Sequence, residues 1–316
     1  MKKVTVLMAT YNGEKYLDEQ IQSIYDQTGV DVFLYVRDDR STDKTCEILD
    51  KWCEKTKGDS HFSMRYYVGD KGAGAAGSFM DLINTVPTDT EYYALSDQDD
   101  KWLPVKLRIG IEKVDELKKI AGNELPLLYN SNTKRVGENL EETDNPFKKK
   151  YHTEKFGAAL MQTAAGGLTF VFNLSLLKAV RKYMPNEMPM HDRWIYLVCT
   201  ALGGYAYYDE NAYVLYRQHG GNVMGGSNHM KLKGVELFKF RLKKLFTYDD
   251  SPKLIAKELI NGYGDSIPKQ NMKLLQSVSK GERFLNRIRI LFNRKLKTGY
   301  FVIDVKMALQ TISGKL

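Results

Sequence analysis

Cysteine is scarce in this chain: Cys46, Cys53 and Cys199 are its three, in 316 residues. A sparse, odd-numbered set without metal-ligand spacing excludes a disulfide scaffold and points to a reducing compartment. Cys46 and Cys53, seven apart in a helical pattern, are expected to pack on its inner face. Long apolar runs are missing too. No uncharged apolar stretch of about 18 residues occurs, so no spanning helix is expected. The run Val4 to Met8 is too short for a secretory leader and has no small-residue cleavage site behind it. It reads as a buried first strand. No internal repeat, low-complexity segment or recognised nucleic-acid module is found, so nucleic acid is not an expected partner. The glycine-rich stretch Gly69 to Gly77 lacks the Lys-Ser/Thr ending of a P-loop. Its expected use is close backbone approach to a ligand or a neighbouring strand. Hydrophobic residues nevertheless make up 43% of the chain, enough for a packed core.

The first hundred residues alternate strand and helix patterns. Apolar runs at Val4–Ala9, Val32–Val36, Met64–Val68 and Tyr92–Leu95 predict four strands. Between them, helical spacing appears at Tyr16–Tyr25, around Ile48, Leu49 and Trp52 with Ser41 or Thr42 as cap, and around Phe79–Val86. This order predicts an α/β fold, a mostly parallel central sheet flanked by helices. Such sheets bind ligands outside the carboxyl ends of their strands. Residues 104–230 are less regular. They contain a helix from Pro104 to about Lys119, strands at Leu125–Tyr129, Leu168–Phe172 and Tyr205–Tyr216, a polar loop over 137–155, and a buried helix starting at Asp192. We divide the chain into residues 1–230, with halves 1–103 and 104–230, and a basic helical region 231–316.

Polar clusters sit at three strand ends: Thr10-Tyr11-Asn12, Asp38-Asp39 and Asp97 to Asp100. The last puts three carboxylates within four residues directly after an apolar strand. Unpaired charge is too costly to bury, so this cluster must face water or hold a cation. Mg²⁺ or Mn²⁺ bound through one or two carboxylates and substrate phosphates is the favoured reading; a solvated turn capping the next helix is the alternative. Asp39 can accept a hydrogen bond from a pyrimidine or ribose, or it can cap a helix. Asp192 can cap its helix, act as a general base at the cleft, or do both. Arg217 and His219, in a glycine-flanked loop, are candidates to close on a diphosphate.

Together these residues resemble the family 2 glycosyltransferases of the GT-A fold. The resemblance rests on Val6-Leu7-Met8-Ala9-Thr10-Tyr11-Asn12-Gly13, Arg37-Asp38-Asp39-Arg40-Ser41-Thr42-Asp43, Ser96-Asp97-Gln98-Asp99-Asp100-Lys101-Trp102 and His191-Asp192-Arg193-Trp194. It covers about residues 1–225 and is strongest with bacterial rhamnosyltransferase-like members, which share the Arg217-Gln218-His219-Gly220-Gly221-Asn222 pattern. It implies inverting transfer of a sugar, L-rhamnose from dTDP-rhamnose, to a bacterial surface polysaccharide. Ala9, Thr10, Tyr11, Glu14 and Asp39 would line the nucleoside, with Asp97 and Gln98 beside the ribose. Asp99 and His219 would hold the metal, with Arg217 on the diphosphate, and Asp192 would deprotonate the acceptor hydroxyl. Rival readings are a sugar nucleotidyltransferase, against which the loop after the first strand offers no cation near Thr10-Tyr11-Asn12, and a non-catalytic membrane adaptor.

The charge is unevenly spread. Residues 231–316 carry 19 Lys/Arg against 7 Asp/Glu, whereas residues 1–230 sum to −4. Basic and large apolar residues alternate at helical intervals over 237–246 and 284–292. This suggests docking on an anionic bilayer, with a lipid-linked saccharide as acceptor and a peripheral place on the cytoplasmic face of the plasma membrane. Packing against the catalytic domain or a second subunit is the alternative, and an oligomer is compatible with it.

Overall fold

The computed structural model describes residues 1–147, 155–162, 165–187, 189–220, 251–281 and 283–314. The N-terminal half of the sheet is built as the sequence predicts. Strands β1 (Lys2–Thr10), β2 (Val30–Asp38), β3 (Phe62–Val68) and β4 (Tyr92–Ser96) run parallel in the order β3-β2-β1-β4. Side chains alternate across a strand, and β1 is buried on both faces. Val4, Val6 and Met8 join one apolar layer; Leu7 joins the other. Helices α1 (Leu17–Tyr25) and α2 (Thr45–Lys55) cover the first layer with Leu17, Ile21, Leu49 and Trp52. Helix α3 (Gly74–Thr85) covers the second with Phe79, Leu82 and Ile83.

Two local expectations change. Helix α3 begins inside the glycine-rich stretch, at Gly74, because Asp39 accepts hydrogen bonds from the Ala73 and Gly74 N–H groups. Neither Ser41 nor Thr42 caps α2. Glu14 Oε2 accepts from the Lys44 N–H and Asp43 Oδ1 from the Thr45 N–H.

Beyond β4 the sheet becomes mixed, with nine strands among the described residues. Strands β5 (Lys101–Trp102), β6 (Leu127–Val136), β7 (Glu142–Phe147), β8 (Val171–Asn173) and β9 (Tyr205–Arg217) complete it. β8 runs antiparallel to β4 and β6, and β9 runs parallel to β6. The segment read as a loop over 137–155 thus contains a strand, β7, paired with β6. The predicted strand Leu168–Phe172 shortens to β8, preceded by a 3₁₀ turn at Gly167–Thr169.

Helix α4 (Lys106–Ala121) lies on the first layer, with α5 (Phe156–Met161), α6 (Leu174–Arg181) and α7 (His191–Ala201) on the second. Every residue of α7 except Asp192 and Arg193 is buried, as its continuous apolar sequence predicts. Among the described residues four further helices follow: α8 (Pro252–Tyr263), α9 (Lys269–Ser279), α10 (Phe284–Phe292) and α11 (Phe301–Ser313). Their Leu259, Leu275, Val278, Ile290 and Met307 extend the second layer's core. The basic segment 237–246 lies outside the described residues. No helix among the described residues is long and apolar enough to cross a membrane.

At Gly110, α4 packs tightly against the sheet. A Cβ there would meet Val171 Cγ2 at 2.5 Å and Tyr129 Cδ1 at 3.2 Å. Overpacking of this kind costs about 1–3 kcal/mol. Gly110→Ala is therefore expected to lower the urea midpoint with an unchanged denaturant slope; an unaltered midpoint would contradict this close contact.

Candidate active site

The loops at the carboxyl ends of β1, β2 and β4 are tied to one another by side chain–backbone bonds. Gln98 forms a two-way clamp with Tyr11: the Tyr11 N–H donates to Oε1 and Nε2 donates to the Tyr11 carbonyl, both at 2.9 Å. Gly13 has no Cβ where one would lie 2.3 Å from Gln98 Oε1, so glycine is needed for this clamp to close. Asn12, at φ +46°, accepts through Oδ1 from the Thr42 N–H, and its own N–H donates to Ser41 Oγ. The backbone at Tyr11 is thereby fixed on both sides while Tyr11 itself is 56% exposed. An aromatic ring held this way at a strand end can stack on a flat base.

Several residues expected to face a ligand are instead engaged inside the protein. Thr10 Oγ1 donates to Asp38 Oδ1 at 2.9 Å and is buried. Glu14 is exposed, and its Oε2 accepts from the Lys44 N–H at the start of α2. Asp39 is paired with Arg37 Nη1 at 2.5 Å and accepts from Ala73 and Gly74. Burial opposes its ionisation, but Arg37 and these two N–H groups outweigh burial and hold its carboxyl below the usual range. Arg37 in turn reaches Ser78 Oγ, Asp81 Oδ2 and the Lys71 carbonyl, so the glycine-rich loop is folded around one buried guanidinium.

The acidic cluster after β4 is organised from below by Arg217, the last residue of β9. Its guanidinium is buried. Nε donates to the Asp99 carbonyl at 2.8 Å, Nη2 to Glu19 Oε2 at 2.5 Å and Nη1 to the Glu138 carbonyl, while its backbone N–H donates to Asp100 Oδ1 at 3.1 Å. The guanidinium carbon also stands 4.7 Å from the centre of the Tyr16 ring. His219, two residues on, packs against the same ring and brings Nε2 to 2.8 Å from Asp99 Oδ2. Asp99 and His219 therefore converge, and Arg217 sets the backbone under them.

The electrostatics are lopsided. Burial, then Asp99 and Asp192, push the Asp97 carboxyl up to about 7. Burial and the neighbours Asp99 and Asp97 also raise the fully buried Asp100, whose Oδ2 has no hydrogen-bond partner among the described residues. Lys106 is buried nearby. Its Nζ lies 3.4 Å from the centre of the Trp102 ring without a hydrogen-bond partner among the described residues, and burial drives its pKa far down.

Asp192 completes the group. It is not the N-cap of α7, a place taken by Met190; it sits in the first turn. Its Oδ2 accepts from the Gly167 N–H at 3.2 Å, which fixes it against the turn before β8. His191 is buried and stacked on Phe79 at 4.0 Å between ring centres. Burial lowers its pKa, which keeps it neutral.

Sequence reasoning missed Glu19, Gln20, Lys106 and Glu138. Gln20 left a signal: it occupies an inward position of α1, where it donates to Ser96 Oγ at 2.8 Å. Glu138, whose side chain takes the Tyr16 hydroxyl at 2.7 Å, lay in the segment read as a loop and carried none.

Residues 5–170, more than half of the chain, match the family described as Glycosyl transferase family 2. The chain is similar to the dTDP-rhamnosyl transferase RfbG of Shigella flexneri, at 28% identity over 75% of this chain and 80% of that one. It is also similar to an uncharacterized glycosyltransferase of Haemophilus influenzae, at 25% identity over 72% of this chain and 68% of its relative. Among solved structures, S. aureus TarS 1-349 in complex with UDP-GlcNAc superposes with a TM-score of 0.53. The superposition spans 99% of this chain and 91% of TarS 1-349, at 17% identity. The chain is accordingly a glycosyltransferase and belongs to glycosyl transferase family 2, with the GT-A-like α/β fold that its strand-end motifs imply.

Proposed function

We propose that this enzyme moves a sugar from a nucleoside-diphosphate donor to a saccharide hydroxyl by one inverting displacement. The donor is dTDP-L-rhamnose, and the acceptor is a growing, lipid-linked surface polysaccharide at the cytoplasmic side of the plasma membrane. The observation that carries the reading is the convergence of Asp97, Asp99, His219 and Asp192 at the end of β4, beside the clamped Tyr11 loop. The 28% identity with a dTDP-rhamnosyl transferase supports the choice of donor.

The residues present suit a divalent cation. Burial, and then repulsion among crowded carboxylates, raises Asp97 and Asp100, and a nearby positive charge would relieve the second of these. Asp99 and His219 would hold Mg²⁺ or Mn²⁺. Among the described residues no group of three His, Cys, Asp or Glu side chains is arranged to bind an ion by itself. That fits ions of this class, which complete their shell with substrate phosphates and water. When bound, the ion supplies positive charge against the diphosphate leaving group.

This chain's own groups do the rest. Tyr11 would stack on the base. Asp39 and the loop it folds would form the wall beside it, acting through position because its carboxylate is already engaged. Arg217 keeps the Asp99 backbone in place. Asp192, held by the Gly167 N–H, would take the proton from the acceptor hydroxyl as that oxygen attacks the anomeric carbon. A single displacement requires one base and no covalent nucleophile.

Asp192→Asn is expected to lower transfer by about 10²–10⁴-fold, the usual contribution of a general base, and to leave donor binding unchanged. Loss of donor binding would remove Asp192 from that role. Mn²⁺ added with dTDP is expected to raise the melting temperature of the wild-type chain through ligand linkage. Asp99→Ala and His219→Ala should abolish the Mn²⁺-dependent part, and an equal shift in both variants would place the ion elsewhere.

A further inference from the structure

Exposed large apolar side chains are not scattered over this protein. Of sixteen on the described surface, nine lie on α10 and α11. On α10 they are Phe284, Leu285, Ile288 and Phe292; on α11 they are Phe301, Val302, Val305, Leu309 and Ile312. With about 100° between successive residues, each set falls within an arc of about 100°. The buried residues of the same helices, Asn286 and Ile290 on one and Ile303, Met307, Gln310 and Thr311 on the other, occupy the opposite side. Each helix therefore turns one face to the core and a second apolar face outward. Phe284, Phe292 and Phe301 are 73–81% exposed, which a packed helix of a soluble domain does not require. Arg287 Nη1 donates to the Ile312 carbonyl and ties the two helices together.

Charge identifies the occupant. Between residues 283 and 314 there are seven Lys or Arg and one acidic residue, Asp304. Asp304 is consumed by the Thr298 and Gly299 N–H groups just before α11. Arg283 and Arg289 line a shallow groove with Phe284, Leu285 and Asn286 at the start of α10, so cations border the apolar stripe directly. A second copy of this chain would bring the same positive charge against itself, which disfavours pairing through this face. A bilayer rich in anionic headgroups meets both demands. Phenylalanine rings enter the acyl boundary, and Arg and Lys sit at the phosphate level.

We propose that α10 and α11 form a docking face for an anionic phospholipid surface, holding the enzyme flat on the membrane. The inference places a surface on the enzyme and does not depend on which donor or acceptor the active site uses.

The test uses the full chain and sedimentation with phosphatidylcholine vesicles, with or without about one third phosphatidylglycerol. Binding is expected with the anionic vesicles and not with the neutral ones, and it should be released at high salt. The pair Phe292→Ser and Phe301→Ser, and separately the pair Arg283→Glu and Arg289→Glu, should each lower partitioning at least about tenfold, with melting temperature and Mn²⁺ response unchanged. Binding retained in both variants, equal binding to neutral vesicles, or no binding at all would overturn the proposal. So would a concentration-dependent dimer dispersed by the phenylalanine changes, which would make this face a contact between copies. A failure of the donor reading would leave vesicle binding intact, so the two can be told apart.

Discussion

Negative charge gathered at the end of one strand is the constraint around which the rest of this protein is arranged. Asp97, Asp99 and Asp100 follow β4 directly, and Asp192 is close enough for its charge to raise Asp97. Such a cluster is stable only if its backbone is held from outside. Arg217 does this with a buried guanidinium that binds the Asp99 and Glu138 carbonyls and Glu19, while its N–H takes Asp100. Removing one partner from a buried, hydrogen-bonded charge network typically costs about 3–5 kcal/mol, so the last residue of β9 is as much a part of the site as the carboxylates themselves. Gln98, midway along the cluster, passes the order on to Tyr11 and through it to the loop after β1.

The same economy of contacts governs the β2 side. Arg37 and Asp39 fold the glycine-rich loop and start α3, so the loop needs no phosphate of its own to be ordered. The site thus has two tiers. Buried arginines, Arg37 and Arg217, hold backbone, and the proposed function assigns ligand contact to a smaller set, Tyr11, Asp99, His219 and Asp192.

The sheet's first half and the acidic cluster were legible because apolar runs and strand-end carboxylates are local features. Parallel strands buried on both faces write themselves as continuous apolar segments, as Val4 to Met8 and Tyr92 to Leu95 do. Later strands were harder. β8 is three residues long, and β7 lies in a polar segment where pairing with β6, rather than burial, makes the strand. Roles shared between distant residues were also hidden. Nothing local tells that Asp39 starts α3 instead of α2, or that Arg217 points down to Glu19, 198 positions earlier. His219 was found as a candidate because its loop is polar and glycine-flanked; its distance from Asp99 needed the fold.

The central claim is that Asp99 and His219 form one cation site at the mouth of the sheet. Anomalous scattering from Mn²⁺ in crystals grown with the nucleoside diphosphate examines it directly. The account requires a single strong peak bonded to an Asp99 carboxylate oxygen and to His219 Nε2, with phosphate oxygens on its other side. A peak elsewhere, or Asp99 and His219 still bonded to each other beside a fully bound nucleotide, would contradict it.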